Sequence, residues 1–439
     1  MTEYIEKPRY VCALGAFETI LSINRAVPIL HSGPGCGAKL ESGIGTFNGC
    51  QGAGYISAHN LLCSNIGESE VVFGGDEKLS GIIENAIRVY DADLFVVLTG
   101  CTPEIVGDDV KETVSKFTDA GVPLVFAKTA GFKGSNLVGH EIVMDSIFEQ
   151  FLRPTENINP KQVNIWASVP VYEPFWLGDY REIARLLREL GLEPNFVFGP
   201  DGGVEALQKV PQAAFNLLVS SWAGIQNMGT LQKLFGTPFL HWPEIPIGPT
   251  ETAKFLRSVA EFAQIGNDTA NQVIDRNERD YYYFIERAAD ELLKTRLLPR
   301  SFFTVANISY AVGLTKFLVN DMGLLPKAQF ITDNPPEPFR EKIRSEICNV
   351  DNDTEFKVVY SSGGGEAQDE LRALSFEGKP LILGSGWEAT FARNIGAYCL
   401  LLAGPLLDRM VLNRSYTGYY GALILLEDIC SLVLNDYQR

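Results

Sequence analysis

Apolar positions along the chain cluster into short runs. Each run is followed by a Gly, Ser or Pro turn and then by a polar stretch with apolar residues every three or four positions. "DADLFVVLTGC" (91–101), "IVGDDVKETVSKFTDAG" (105–121) and "VPLVFAK" (122–128) form one such unit. "QVNIWASVP" (162–170), "DYREIARLLRELGL" (179–192) and "EPNFVFGP" (193–200) form another, and "FNLLVSS", "GIQNMGTLQKLFG" and "TPFLHW" (215–242) a third. Towards the carboxyl terminus come "SFFTVANI" (301–308), a helix expected over about Tyr310–Met322, and the runs "KAQFITD", "EFKVVYS" and "KPLILGS". Runs this short, without strict alternation, read as strands buried on both faces, and the periodic stretches as helices covering them.

Repeated strand–helix–strand units give parallel sheets flanked by helices. The expected fold is therefore α/β, with three Rossmann-like domains. The polar segment "RPTENINPKQ" (153–162) serves as a first linker, and the charged aromatic helix "NERDYYYFIERAADELLKTRLLPR" (277–300) leads into the last domain. The expected boundaries are 1–155, 156–298 and 299–439. In such sheets ligands collect beyond the carboxyl ends of the strands. Cys36 and Cys101 both fall there.

A chain of 439 residues with 46% hydrophobic residues exceeds one ordinary core, in keeping with several domains. Its net charge of −17 argues against nucleic-acid and anionic-membrane partners, which need clustered Lys and Arg. No apolar run approaches the roughly 20 residues of a membrane span, and "MTEYIEKPRY" lacks the basic and apolar parts of a secretory signal. A cytoplasmic location is expected. In a reducing compartment the eight cysteines are core residues or ligands rather than a disulfide framework.

The stretch "HSGPGCGAKL" (31–40) resembles a phosphate loop but fails its spacing: counted from Gly33, Ala38 stands at the second glycine and Leu40 at the hydroxyl position. It leaves a thiol, Cys36, between glycines whose backbone can approach something bulky. Cys12 in "YVCALGA" and Cys101 in "LTGCTPEIVGDD" also sit at strand ends or glycine turns. The three lie 24 and 65 positions apart, too far for a zinc ribbon or a ferredoxin run. If they are ligands the fold must gather them, and three thiolates leave a four-cysteine cubane one short. If not, they are small buried hydrophobes. Cys348, Cys399 and Cys430 stand in apolar or helical contexts and read as core; Cys50 and Cys63 read as core or loop.

Taken in order and spacing, "YVCALGA", the "GPGCG" loop, "EVVFGGDEKL" and "TGCTPEIVGDDV" resemble the first domain of the nitrogenase component 1 superfamily. The likeness runs on through "TAGFKGS", the "SSW", "FGTPFL" and "PIG" segments, and "RSYTGYYGALILLEDI". It implies that Cys12, Cys36 and Cys101 are this chain's ligands to iron in a P-cluster-type [8Fe-7S] cluster, or alternatively a [4Fe-4S] cluster, shared with a partner. The implied partners are an α (D-like) subunit in an α2β2 heterotetramer and an ATP-dependent iron protein as electron donor.

Catalytic α subunits of the family hold an active-site cofactor through a cysteine in the middle domain and a histidine near the carboxyl terminus. Here Ser221 stands at the cysteine position, and "RSYTGYYG", with Tyr416, Tyr419 and Tyr420, has no histidine. The chain thus resembles a β-type (K-like) subunit with no catalytic residue of its own. Gly131 stands where the β chain of molybdenum nitrogenase has a serine able to join the oxidised cluster. His140 stands near an α-chain active-site histidine and reads as a polar residue at a helix start. The short chain, the lack of an amino-terminal extension and the insert "GTFNGCQGAGY" (45–55) are most similar to methylthio-alkane reductase among the nitrogenase-like reductases. That implies reductive C–S cleavage by the assembled complex, with a true nitrogenase β subunit or a cofactor-assembly scaffold as alternatives.

Overall fold

The apolar runs form strands buried at every position where they cross the middle of a sheet, as in β1 (Ala26–His31) and β3 (Leu94–Thr99). The computed structural model describes residues 9–52, 54, 61–295, 297–351, 355–361 and 363–437, with the side chains of 41–47, 291, 293–295 and 437 outside that description. Beside β1 and β3 lie β2 (Leu62–Cys63) and β4 (Leu124–Ala127), in the order β2-β1-β3-β4. The second sheet, β6-β5-β7-β8, uses β5 (Asn159–Trp166), β6 (Glu193–Asn195), β7 (Ala213–Val219) and β8 (Phe239–Trp242). The third, β11-β10-β9-β12-β13, uses β9 (Ser301–Ala306), β10 (Leu325–Ile331), β11 (Lys357–Tyr360), β12 (Leu381–Gly384) and β13 (Tyr398–Leu401).

Every pairing within these sheets is parallel, from Ile29 opposite Val97 to Ile382 opposite Cys399. Parallel strands need crossovers, and the amphipathic stretches supply them as helices on the sheet faces. This is the α/β architecture expected. The segment read as a first linker is shorter than its polarity suggested, because Asn159–Gln162 already belong to β5. The long helix before the third sheet begins at Asn267 rather than Asn277 and ends at Thr295.

Three sets of contacts tie the sheets together, two of them through the chain's amino-terminal segment. Arg9, buried, donates to Ser385 Oγ at 2.7 Å and pairs with Glu388 at 2.5 Å, both at the head of a helix in the third sheet's layer. Tyr10 stacks on Tyr172, 5.1 Å between ring centres, in the segment that follows β5. Asp179, fully buried on the helix Trp176–Glu189, accepts from Ser168 (2.8 Å), Tyr310 (2.7 Å), Ser415 (2.7 Å) and Thr417 (2.8 Å). Four hydroxyls from three separate parts of the chain are thereby held by one carboxylate.

The last helix, Gly418–Tyr437, carries a stretch long and apolar enough by composition to cross a membrane, which scanning for unbroken apolar runs does not register. It packs instead on the helix Gly248–Phe262 and on β13. Its Asp428 accepts from Arg409, Arg414 and Tyr416.

Candidate metal centre

Cys36 follows β1 directly. Gly33 caps a helix, Pro34 opens it, and the Cys36 amide donates to the Gly33 carbonyl at 3.2 Å, leaving the thiol exposed. Cys101 occupies the equivalent place after the neighbouring strand β3, as the first residue of the helix Cys101–Val106 behind Gly100. The two strand ends touch: the Gly100 amide donates to the His31 carbonyl at 2.9 Å, and a Cβ at Gly100 would fall 2.3 Å from Ser32 Oγ. Only glycine fits there.

Cys12 comes from the amino-terminal segment, where it bridges Ser135 and caps a short helical turn. Gly131 joins it to Cys101. The Gly131 amide donates to Cys101 Sγ at 3.1 Å, and a Cβ at this position would lie 3.2 Å from both Cys101 Sγ and Cys12 Sγ. The two sulfurs therefore converge on Gly131, where any side chain would press on both. An N–H donated to a cysteine sulfur is the usual way a protein stabilises charge on a metal-bound thiolate.

Among the described residues no three His, Cys, Asp or Glu side chains converge as a complete metal site. Cys12 and Cys101 meet at Gly131. Cys36 stands on the adjoining strand end beside a different thiol, Cys63.

Cys63 lies on β2, opposite Leu30 of β1, and its Sγ lies 3.3 Å from the Ser32 carbonyl oxygen. Burial pushes its thiol up. Sequence reading left its place open because a two-residue strand has no periodicity. Also unforeseen was the support beneath the loops. His31, fully buried, is 3.0 Å from Ser64 Oγ through Nδ1 and 3.0 Å from Asp108 Oδ2 through Nε2, and Asp108 accepts the Gly75 amide at 2.9 Å. Burial lowers the His31 pKa against the raising pull of Asp108. This chain of contacts pins the start of the Cys36 loop to the segment that follows the Cys101 helix.

The remaining thiols divide. Cys399 is largely buried on β13 and is pushed up to about 12, chiefly by burial; Cys430 is half-buried on the last helix. Cys348, expected in the core, is exposed, because it ends the helix Glu337–Cys348 and its neighbour Ile347 takes the buried position. Cys50 is exposed at φ 59°, within an insert of which residues 53 and 55 lie outside the described residues.

The positions matching α-chain cofactor ligands are satisfied internally. Ser221 Oγ donates to the Pro243 carbonyl, and the Ser221 amide donates to Ser309 Oγ at 3.1 Å. Beside it is a cavity of about 230 Å³ lined by Phe239, His241, Val312 and Phe339. At the other position Ser415 and Thr417 are committed to Asp179, and Tyr416 is fully buried. His140 is buried mid-helix rather than at a helix start. Its Nδ1 is 2.9 Å from Thr19 Oγ1, and burial lowers its pKa to about 4, so the ring is neutral.

With this geometry in place, comparison with known proteins settles the family. The model for nitrogenase component 1 type oxidoreductases matches residues 12–434. The chain belongs to this family. It is 24% identical to the nitrogenase molybdenum-iron protein beta chain of Methanothermobacter marburgensis, covering 99% of this chain and 95% of that one. It is also 24% identical to the beta chain of Azotobacter vinelandii (96% and 82% covered), and 23% to a chain of the light-independent protochlorophyllide reductase of Chaetosphaeridium globosum (83% and 71%). A solved structure of nitrogenase Cp1 at pH 6.5 superposes with a TM-score of 0.82 at 21% identity, over 100% of this chain and 94% of that one. The component 1 fold is thus the observed fold. An iron–sulfur cluster fits the donor set present: the soft thiols of Cys12 and Cys101 meeting at Gly131, one already accepting an amide, and the exposed thiol of Cys36 on the adjoining strand end.

Proposed function

We propose that this chain is the β-type subunit of a nitrogenase-like reductase and provides half of a P-cluster-type site, through Cys12, Cys36 and Cys101, to an α subunit that provides the rest. The observation that carries this reading is the convergence of the Cys12 and Cys101 sulfurs on Gly131, in a chain whose counterparts of the α-chain cofactor ligands are satisfied internally. When bound, the cluster supplies storage and transfer of single electrons. The chain's own work is to hold the three thiolates, to donate the Gly131 amide to Cys101 sulfur, and to brace the Cys36 loop through His31 and Asp108.

Around the same end the surface is apolar. Val72 is 71% exposed, Phe73 88% and Ile105 73%, on two helices that touch, with Phe132 in the Gly131 turn. Apolar residues so exposed suit docking, and we assign this face to the ATP-dependent iron protein. A second apolar region, the groove between the helices Asn267–Thr295 and Gly418–Tyr437 with Tyr283, Phe284 and Tyr420 on its walls, suits a permanent subunit contact in an α2β2 assembly. The interior hydrogen bonding of Ser221, Ser415 and Thr417 supports placing substrate chemistry on the α subunit. The reaction we assign to the complex is reductive C–S cleavage of methylthio-alkanes in the cytoplasm, releasing methanethiol and a hydrocarbon.

The test is to isolate the complex anaerobically with its partner, quantify iron and heterometal, and supply iron protein, ATP and either a thioether or dinitrogen. Methanethiol release is expected. Reduction of dinitrogen without thioether cleavage would make it a nitrogenase proper, and a complex that only stores and releases a cofactor would make it a scaffold. Cys36→Ala is expected to remove the shared cluster, while Cys430→Ala keeps it. Unchanged iron in the Cys36 variant would overturn the ligand assignment.

A further inference from the structure

Glu18 is a carboxyl group that the electron-transfer reading does not use. It is 5% exposed, and its Oε2 has no hydrogen-bond partner among the described residues. It belongs to the helix Ala16–Leu21, which continues the 3-10 turn capped by Cys12, so its backbone follows that of Cys12 by less than two turns. At roughly 1.5–2 Å rise per residue through turn and helix, the two positions are on the order of 10 Å apart.

The neighbouring elements offer it little. The helix Asn136–Gln150 packs on the helix that carries Glu18, bringing with it Asn136, whose side-chain nitrogen and oxygen both lack partners among the described residues, and His140, which is neutral and occupied with Thr19. A Cβ on Gly15, one turn before Glu18, would come within 2.8 Å of Asn136 Cβ, which fixes how closely these helices approach. From the second sheet's layer come Tyr172, whose hydroxyl feels the Glu18 charge, and Glu173, itself buried and raised to about 8. Tyr172 is in turn stacked by Tyr10 and feels the charge of Arg9, whose guanidinium is already paired with Glu388. With no free cation among the described residues to balance it, a carboxylate here is costly, and burial raises Glu18 to about 8. The group is therefore a neutral acid at pH 7.

Resting on the shared-cluster reading, we infer that Glu18 is a redox-linked proton site: it releases one proton when the cluster gives up an electron and takes one back when the electron returns. The electron arrives from the iron protein, a one-electron iron–sulfur donor, and leaves to the acceptor on the α subunit. The proton exchanges with solvent, so the charge around the cluster stays balanced. A unit charge about 10 Å away, at an effective dielectric near 20, shifts the ionisation equilibrium roughly tenfold. For an acid whose pKa is already near neutrality, that shift is enough to change its proton occupancy.

The test uses the assembled complex, with iron content measured first. Infrared difference spectra between its reduced and oxidised forms should show the carbonyl band of a protonated carboxylic acid lost on oxidation, absent in Glu18→Gln and retained in Glu173→Gln. The cluster's reduction potential should fall as pH rises through neutrality towards about 8, and Glu18→Gln should flatten that dependence. An iron-replete wild-type complex with no such band, or an unchanged pH dependence in Glu18→Gln, overturns this inference and leaves the shared-cluster reading standing. A complex without iron overturns both. If Glu18→Gln fails to take up iron, Glu18→Asp keeps the acid and should move the band, and an unmoved band in an iron-replete Glu18→Asp complex overturns the inference.

Discussion

Asp179 offers the sharpest test of how the layers are held. Replacing it with alanine leaves the hydroxyls of Ser168, Tyr310, Ser415 and Thr417 without their common acceptor. Each buried hydroxyl left unpaired costs about 1–3 kcal/mol, and part is recovered where a side chain can turn; Ser415 Oγ, for example, still accepts the Thr417 amide at 2.9 Å. A net loss of roughly 4 kcal/mol is expected, in the range for breaking a buried charged network. The pH dependence has a definite sign. Burial raises Asp179 from 3.8 to about 6, so between those values the folded state keeps a proton that the unfolded state has lost. Stability therefore falls as pH rises through that window, by about 3 kcal/mol in total, and is level above it. Asp179→Asn should lack this fall. Denaturant unfolding of the assembled complex at several pH values measures both effects, and hydrogen exchange at Gly421, whose amide bonds to Thr417, reports the opening locally. Asp179→Ala within about 1 kcal/mol of wild type, with unchanged exchange at Gly421, would refute the view that this carboxylate joins the layers.

Two further substitutions probe the metal centre and its absent counterpart. Gly131→Val should cut the iron content of the assembled complex to roughly half or less, because a branched side chain overfills the gap between Cys12 and Cys101, whereas Gly131→Ser should keep its iron; a fully loaded valine variant would show that nothing occupies that gap. Ser221→Ala removes one hydrogen bond to the Pro243 carbonyl and should cost about 1 kcal/mol while turnover stays within a few fold of wild type. Loss of turnover with iron intact would place substrate chemistry on this chain.

Unbroken apolar runs made the principal strands legible, because a strand buried on both faces cannot alternate with polar residues. The short edge strands β2 and β6 carry too few residues for any period, and the meeting of Cys36 with Cys63 depends on β2. Cys12, Cys36 and Cys101 could be selected for their glycine and strand-end contexts, but their partner Gly131 acts through the side chain it lacks. Asp179 was invisible for another reason. Its partners lie as far as 238 positions away, and a single Asp in an amphipathic helix reads as a solvated residue. Cys348 was misplaced for a local reason: periodicity at a helix's last residue does not say which of two neighbours turns inward.

The contrast between satisfied and unsatisfied polar groups is what separates this chain's two candidate sites. At Ser221, and at Ser415 and Thr417, every hydroxyl donates to a carbonyl or carboxylate of the same chain, so an incoming metallocofactor would have to break those bonds before making its own. At Cys12 and Cys36 no side-chain hydrogen bond is made among the described residues, and Cys101 accepts only the Gly131 amide. Thiols tolerate this because a free cysteine behaves as a small hydrophobe with weak hydrogen bonding. A serine in the same place would seek a partner and close the gap. The chemistry of the side chain thus keeps one site open for a soft metal at little cost to the unassembled chain, while hydroxyls at the other turn a ligand position into a structural joint.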